Sequence, residues 1–169
     1  MTDGDTVILF TSDHGEMLGD HHLWRKSVPY EGSARVPLLV SAPDRVGIRK
    51  GATCDAVVCL EDIMPTLLDI AGAPIPSSVE GKSLLPILRG DETAVRNHVR
   101  VACVHHPSAL TDGKEKYVFS PKDGIEQLFD LANDPNECAD LCADGRAGER
   151  LEHWRRVEKE RSPASETVA

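Results

Sequence analysis

The feature that most constrains the fold of this chain is a short apolar run that ends abruptly in polar residues. The run Thr6-Val7-Ile8-Leu9-Phe10-Thr11 breaks into Ser12-Asp13-His14-Gly15. A run of this length and composition predicts a fully buried strand, as in a parallel sheet covered on both faces. Sites in α/β proteins lie just beyond the carboxyl ends of such strands, so we expect Asp13 and His14 at the mouth of a site.

Further elements follow along the first half of the chain. A second apolar strand is predicted over residues 36–41 and a short one over 55–58, with an ordered polar loop over 13–35. Residues 60–71 form the best predicted helix, and its apolar positions recur at the spacing of one buried face. A short helix is predicted over residues 83–88.

From residue 94 the pattern changes to short strands with tight connections, which predicts an antiparallel sheet. The strands are expected at residues 99–104, 116–120 and 127–131. An Asp-Gly turn at residues 121–124 joins the last two strands as a hairpin. The spacing of apolar residues over 146–161 predicts an amphipathic terminal helix.

Composition argues against some classes of partner. Lysine and arginine total 19 against 28 aspartate and glutamate residues, a formal net charge of −9. A chain this acidic is not expected to bind nucleic acid or an anionic membrane surface. No apolar stretch approaches the ~18 residues of a membrane span. The five cysteines fit no zinc pattern and are expected to be free thiols, which weakly favours a reducing, cytoplasmic compartment.

Asp13 and His14 are adjacent, so both can ligate one ion only where the backbone turns, which Gly15 permits. Carboxylate oxygen favours Ca²⁺ or Mg²⁺, and imidazole admits Mn²⁺ or Zn²⁺. A hydrogen-bonded polar turn explains the spacing at least as well. Lys26 is, from its position alone, an ordinary solvated charge, and Trp24 is expected to pack against the protein.

Longer segments of the sequence resemble the sulfatases, within the alkaline-phosphatase-like superfamily of metal-dependent hydrolases. The segments TSDHGEMLGDHHLWRK and YEGSARVPLLV carry the match, and EDIMPTLLDIAG, GKSLLPILRG and EQLFDLANDPNECADL agree with it. The resemblance implies an α/β fold class: an incomplete alkaline-phosphatase-like sheet portion, then a small antiparallel sheet with a packed C-terminal helix. Residues 1–90 would be the C-terminal part of the sulfatase α/β domain, 91–161 the small subdomain and 162–169 a disordered tail.

The same resemblance implies roles for individual residues. Asp13 matches the family's metal aspartate and His14 its neighbouring ligand, with Ca²⁺ as the expected ion and Mn²⁺ or Zn²⁺ as alternatives. Lys26 matches the lysine that contacts the sulfate oxygens, where a fixed ammonium stabilises developing negative charge. His22 is a weaker catalytic candidate, because family members differ at this position. The His105-His106 pair is expected at the surface.

The cysteine form of the family's nucleophile motif is missing from these residues. The family's nucleophile is a cysteine or serine followed by x-Pro-x-Arg, the cysteine being converted to formylglycine, and no cysteine here has that context. We therefore expect this chain to be the C-terminal portion of an enzyme that acts on a sulfate ester. As an isolated chain it is expected to be inactive, and its metal site can be unoccupied. A phosphonate or phosphate monoester hydrolase and a non-catalytic, self-associating module remain alternatives. A homo-oligomer is expected through the surface that the missing part would cover.

Overall fold

The computed structural model describes residues 4–103 and 107–161. Contacts divide the chain into two compact units. The first holds the residues up to Gly15 together with Arg35–Val99, and the second holds Glu16–Ala34 together with the residues from Arg100 onward. The loop of residues 16–34 therefore packs with the second unit, although the sequence places it beside the strand that precedes it. The predicted division at residue 90 stays a prediction.

The first unit contains a two-stranded antiparallel sheet. Strand β1 (Ile8–Thr11) pairs with β2 (Leu38–Ser41), and Phe10 lies directly opposite Leu39. The strand positions are as predicted, but the expectation of a fully buried strand in a parallel sheet is wrong. Phe10 is 59% and Leu39 60% exposed, because within residues 4–103 and 107–161 β1 pairs with β2 alone, and the face that carries these two side chains is open.

Two of the predicted helices are present in the first unit. Helix α2 (Ile63–Ile70) follows a 3-10 turn, and α3 is Leu85–Arg89. The predicted buried face of α2 is wrong: Met64 and Leu67 are exposed, whereas Pro65 and Thr66 are buried. The residues predicted as a strand at 55–58 are described but form no strand.

Polar contacts explain why the other face of α2 is buried. The buried carboxylate of Asp62 accepts hydrogen bonds from the backbone N–H of Cys59 at 2.9 Å and of Lys82 at 2.8 Å, and from both terminal nitrogens of Arg96. Burial acts to raise the pKa of Asp62, but the hydrogen bonds from Arg96 and the two amides outweigh it and hold that pKa below its ordinary value. Thr66 Oγ1 accepts from the Leu84 N–H at 2.9 Å. The segment before α3 is thus held to α2 through polar groups.

The second unit contains a four-stranded sheet and a long helix. The strands, in the order β3-β4-β5-β6, are Val99–Val101, Ser108–Thr111, Glu115–Ser120 and Ile125–Asp130. Strands β4, β5 and β6 pair antiparallel, so the predicted antiparallel sheet is confirmed, although the sequence reading missed β4. The terminal helix α4 is Gly148–Arg161. Among the described residues, no helix is both long and apolar enough to cross a membrane.

Each face of this sheet is covered by a different part of the unit. One face presents Tyr117 and Leu128 to Trp154 of α4, within a single buried cluster. The opposite face presents Val118 and Phe129, against which Tyr30 from the 16–34 loop packs. A sheet buried on both faces explains why β5 is enclosed along nearly its whole length.

Candidate functional site

Asp13 and His14 lie just after β1, where the backbone leaves the strand. The Asp13 side chain is 85% exposed, and its Oδ2 lies 3.5 Å from His14 Nε2. Asp13 Oδ1 accepts a hydrogen bond from the His14 N–H at 3.0 Å, and the Ser12 hydroxyl donates to the His14 carbonyl at 2.7 Å. These local bonds hold the turn that brings two adjacent side chains to one place.

The hydrogen bond on the other side of the His14 ring sets its tautomer. His14 Nδ1 lies 2.7 Å from the carbonyl oxygen of Gly15. A carbonyl only accepts, so Nδ1 carries the proton and Nε2 of the neutral ring carries the lone pair. Metal-binding histidines are commonly oriented in this way, by a hydrogen bond from the second ring nitrogen to a backbone carbonyl.

The donor atoms fit a divalent cation. An oxygen and a nitrogen 3.5 Å apart can both lie within the ~2.4 Å typical of a Ca²⁺ ligand. In the described part of the chain, no group of three or more His, Cys, Asp or Glu residues is arranged to hold a metal. Asp13 and His14 therefore make a two-ligand set, which needs further ligands to bind an ion tightly.

Lys26 and His22 lie in the second unit, in the 16–34 segment, whereas Asp13 and His14 lie in the first. The Lys26 side chain is exposed, and its backbone carbonyl accepts a hydrogen bond from the buried Ser33 hydroxyl. Trp24 is 72% exposed, so the expectation that it packs against the protein is wrong. His105 and His106 lie outside the described residues.

The 16–34 segment is an ordered loop. It contains a 3-10 turn at Asp20–His22 and a one-turn helix, α1 (Glu31–Ala34). The Met17 N–H donates to the Arg25 carbonyl at 3.0 Å, and the Met17 side chain is buried. The predicted ordered loop with a helical turn is confirmed.

The backbone of this segment is strained at several non-glycine residues. Leu18, His21, His22 and Arg25 have φ angles of 50°, 53°, 59° and 73°. A non-glycine residue in the left-handed region costs about 1–2 kcal/mol. Such a cluster persists only when surrounding contacts determine the conformation, and strain of this kind is common at functional sites.

A buried group of charges supplies part of that support. Lys116 of β5 is fully buried, and its Nζ lies 2.6 Å from Glu31 Oε1 and 2.9 Å from Glu137 Oε1. The contact with Glu137 is an ion pair rather than an aligned hydrogen bond. The second oxygen of Glu137 accepts from the Glu31 N–H at 2.7 Å, and His21 Nε2 lies 3.9 Å from it. We call Glu31, Lys116 and Glu137 the anchor cluster.

Tyr30 adds a second attachment beside the anchor cluster. Its hydroxyl donates to Gln127 Oε1 at 2.7 Å. Its ring stacks on His21 with centroids 4.3 Å apart and meets Phe129 edge-on at 6.1 Å. Burial, followed by the negative charge of Glu137, raises the pKa of the Tyr30 phenol above its ordinary value.

Sequence reasoning missed the anchor cluster. Glu31 and Glu137 both fall in the segments that carry the family resemblance, YEGSARVPLLV and EQLFDLANDPNECADL. Lys116 is the one clear signal, because a lysine stands next to the apolar run Tyr117-Val118-Phe119 of a strand. That pattern indicates a charged residue in the strand, but it does not say whether the chain covers it.

Comparison with protein families gives a match over most of the chain. The model of the family described as "N-sulphoglucosamine sulphohydrolase, C-terminal" matches residues 19–161. An arylsulfatase of Clostridium perfringens is 39% identical over 162 residues, which cover 90% of this chain and 33% of that protein. A choline-sulfatase of Rhizobium meliloti is 40% identical over 148 residues, covering 84% of this chain and 28% of that protein. The chain thus spans about a third of the length of these relatives.

Solved structures agree on the fold. The phosphonate monoester hydrolase SpPMH of Silicibacter pomeroyi superposes with a TM-score of 0.78 at 29% identity. The superposition covers 93% of this chain and 34% of that one. The fold of this chain therefore resembles that of about a third of a much longer protein.

Proposed function

This chain belongs to the sulfatase family, and from that premise we propose that it serves the metal-dependent hydrolysis of sulfate esters. The observation that carries the proposal is the pairing of Asp13 and His14. A carboxylate oxygen and a lone-pair imidazole nitrogen lie 3.5 Å apart at the end of β1. The arylsulfatase and the choline-sulfatase named above are sulfatases by name, which favours sulfate esters as the substrate class.

In this proposal Asp13 and His14 hold a divalent cation, with Ca²⁺ as the first candidate and Mn²⁺ or Zn²⁺ as alternatives. A bound cation stabilises negative charge on the oxygens of the reacting group. The hydrogen bond from His14 Nδ1 to the Gly15 carbonyl keeps the proton on Nδ1 and the lone pair on Nε2, the tautomer that a metal ligand requires. The chain's own contribution is thus an oriented pair of ligands that is formed before the ion binds.

Lys26 is proposed to contact the sulfate oxygens. Its ammonium stands on an exposed side chain whose backbone is held by Ser33. A fixed positive charge stabilises the charge that spreads over the sulfate oxygens as the ester bond breaks. His22, which is exposed and lies within the strained turn, is a secondary candidate for proton transfer to the leaving alcohol.

A calcium titration followed by amide NMR tests the metal assignment without requiring turnover. We expect the signals of residues 12–15 to shift with Ca²⁺ in the natural sequence, and the shift to be lost in Asp13→Asn and in His14→Gln. Asp55→Asn, which removes another exposed carboxylate of the first unit, is the matched control and should shift as the natural sequence does. Equal calcium responses in Asp13→Asn and the control would contradict the assignment.

We further propose that these 169 residues alone do not turn over a sulfate ester, because no Cys-x-Pro-x-Arg nucleophile motif is among them. The assay is p-nitrophenyl sulfate with added Ca²⁺ or Mn²⁺. Turnover that survives purification and disappears in Lys26→Ala would overturn this part of the proposal. It would also place the nucleophile within the chain.

A second candidate reaction is hydrolysis of a phosphonate or phosphate monoester. The observation that favours it is the structural likeness to the Silicibacter pomeroyi phosphonate monoester hydrolase at 29% identity. The same ligand pair and lysine would serve either anion, because both reactions place negative charge on equivalent oxygens. A preference for p-nitrophenyl phosphate or a phenyl phosphonate ester over the sulfate, in whichever form of the protein is active, would select this alternative.

A third candidate is a self-associating module. It is favoured by the open face of the β1–β2 ribbon, where Phe10 and Leu39 lie opposite each other and are both more than half exposed. Neighbouring apolar side chains at a surface promote association. We propose that the chain forms homo-oligomers through this face.

A further inference from the structure

Lys116 is a charged side chain that the proposed reaction does not use, and it is fully buried. In the strand register, Lys116 of β5 lies directly opposite Phe129 of β6. An ammonium is expensive to bury unless carboxylates pair with it. Glu31 and Glu137 supply that pairing at 2.6 and 2.9 Å, so the burial of Lys116 depends on both carboxylates being in place.

The anchor cluster joins three separate stretches of the second unit. Lys116 belongs to β5, Glu137 follows β6, and Glu31 begins α1 in the 16–34 segment. Glu137 itself has a φ of 57°, a conformation that needs support from its contacts. Because Glu137 also accepts the Glu31 N–H at 2.7 Å, it holds the backbone of α1 directly, while Lys116 holds the Glu31 side chain.

A short path of bonds connects α1 to Lys26. The Ser33 N–H donates to the Tyr30 carbonyl at 3.0 Å, and the Ser33 hydroxyl donates to the Lys26 carbonyl. Ser33 is buried. Movement of α1 away from the sheet would therefore displace the backbone of Lys26.

We infer that Lys116 is a positioning residue: through Glu31 and Glu137 it fixes the 16–34 segment on the sheet and so determines where the Lys26 ammonium stands. The anchoring follows from contacts within the second unit, and only the identity of the anion at Lys26 rests on the proposed function. Lys116 touches no substrate, because it has no exposed surface.

Hydrogen exchange measured by mass spectrometry on the whole chain tests the anchoring. We expect Lys116→Met to raise exchange in peptides covering residues 16–34 by at least about tenfold, because it leaves the buried carboxylate of Glu137 and the partly buried one of Glu31 without their cation. Peptides from α3 in the first unit should be unchanged. Arg155→Met is the matched control, because it removes a different cation of the second unit, one paired with Glu126 and Glu152. It should leave residues 16–34 unchanged.

Glu31→Gln provides a milder variant in case Lys116→Met does not fold. It removes one charge from the cluster at a side chain that is 17% exposed, and it should raise exchange in residues 16–34 severalfold while strands β4–β6 stay protected. Exchange in residues 16–34 equal to that of the natural sequence, or a rise of equal size in β4–β6, would overturn the anchoring.

A titration with inorganic sulfate, followed by NMR, separates this inference from the proposed function. The expected result is weaker sulfate binding in Glu31→Gln, with Lys26 still present, and none in Lys26→Ala. Sulfate binding in Glu31→Gln equal to that of the natural sequence would overturn the effect on Lys26. If the natural sequence itself binds no sulfate, the proposed role of Lys26 fails, and the exchange result alone then decides the anchoring.

Discussion

Asp62 and Arg96 form an ion pair in which both terminal guanidinium nitrogens reach one fully buried carboxylate. The same carboxylate also holds the backbone of Cys59 and Lys82. Arg96→Met would leave a buried negative charge with two amides as its remaining partners. We expect a loss of about 3 kcal/mol in the free energy of unfolding, the lower end of what breaking a buried pair costs. Urea unfolding followed by circular dichroism measures it.

The control for that variant is Arg45→Met. Arg45 pairs with Asp5 in the same unit, but both side chains are mostly exposed. An exposed pair contributes at most about 1 kcal/mol. Equal losses of unfolding free energy in the two variants would mean that burial does not increase the stabilisation that the Asp62–Arg96 pair provides.

The stability of the first unit should depend on pH through the same carboxylate. Hydrogen bonds from Arg96 and two amides, acting against burial, lower the pKa of Asp62 in the folded state. A group with a lowered folded pKa contributes stability above its unfolded pKa of about 3.9. That contribution is lost as the pH falls through the folded pKa. The difference in unfolding free energy between the natural sequence and Asp62→Asn should therefore be largest near neutral pH and shrink below about pH 4.

Unfolding midpoints of both proteins at several pH values check this expectation. A difference that stays constant from pH 7 to the most acid pH studied would contradict it, because an unlinked carboxyl gives no pH dependence. The amide at position 62 keeps the shape of the natural side chain but replaces one acceptor oxygen with an NH2 donor, so two of the four hydrogen bonds are lost. That loss does not change with pH, so the pH dependence of the difference reports the charge of Asp62.

The sequence predicts where the elements of this chain lie better than it predicts what covers them. The apolar spacing of residues 60–71 correctly predicts a helix, but it also implied that Met64 and Leu67 are buried, and they are exposed. Periodicity reports which face of a helix is apolar, and it carries no information about a partner for that face. The β1 strand shows the same limit, since its composition indicates its extent but not its antiparallel pairing with β2.

For the candidate site, too, some features can be predicted from the sequence and others cannot. The adjacency of Asp13 and His14 and the following glycine can be read from the sequence, and they indicate a turn that could present two ligands. The tautomer of His14 depends on a 2.7 Å contact with the Gly15 carbonyl, which no spacing rule gives. The burial of Lys116 depends on Glu31, 85 positions away, because long-range contacts decide which strand face is covered.

Gly81 is a close-contact glycine that a single substitution tests. A Cβ at this position would lie 1.9 Å from the Glu61 carbonyl oxygen and 3.1 Å from the Asp62 nitrogen, both backbone atoms. The segment from Lys82 to Leu84 is hydrogen-bonded to Asp62 and Thr66, so it cannot move away without losing those bonds. We expect Gly81→Ala to destabilise the protein by about 3 kcal/mol, the upper part of the range for overpacking.

Thermal unfolding of Gly81→Ala beside Gly4→Ala tests this expectation. A Cβ at Gly4 would meet nothing within 4 Å, so that variant should unfold as the natural sequence does. Unchanged stability in Gly81→Ala would show that the backbone of residues 80–84 is free to shift.

The open face of the β1–β2 ribbon should drive self-association of the chain. Phe10 and Leu39 are directly opposite each other in the strand register and lie on one face, where they are 59% and 60% exposed. Fully burying a large apolar side chain from full exposure is favourable by about 1.5–3 kcal/mol. More than half of that gain is still open to Phe10 and to Leu39, so we expect the chain to associate with itself at high concentration. Phe10→Lys should reduce the mass measured by sedimentation velocity, because a lysine at the centre of the contact would have to be desolvated.

Ile125→Lys is the control for Phe10→Lys. It changes an exposed apolar residue of the second unit and should leave the mass measured by sedimentation velocity unchanged. A natural sequence that sediments as a monomer at every concentration would show that this face does not drive association, and an equal effect of both substitutions would place the contact elsewhere.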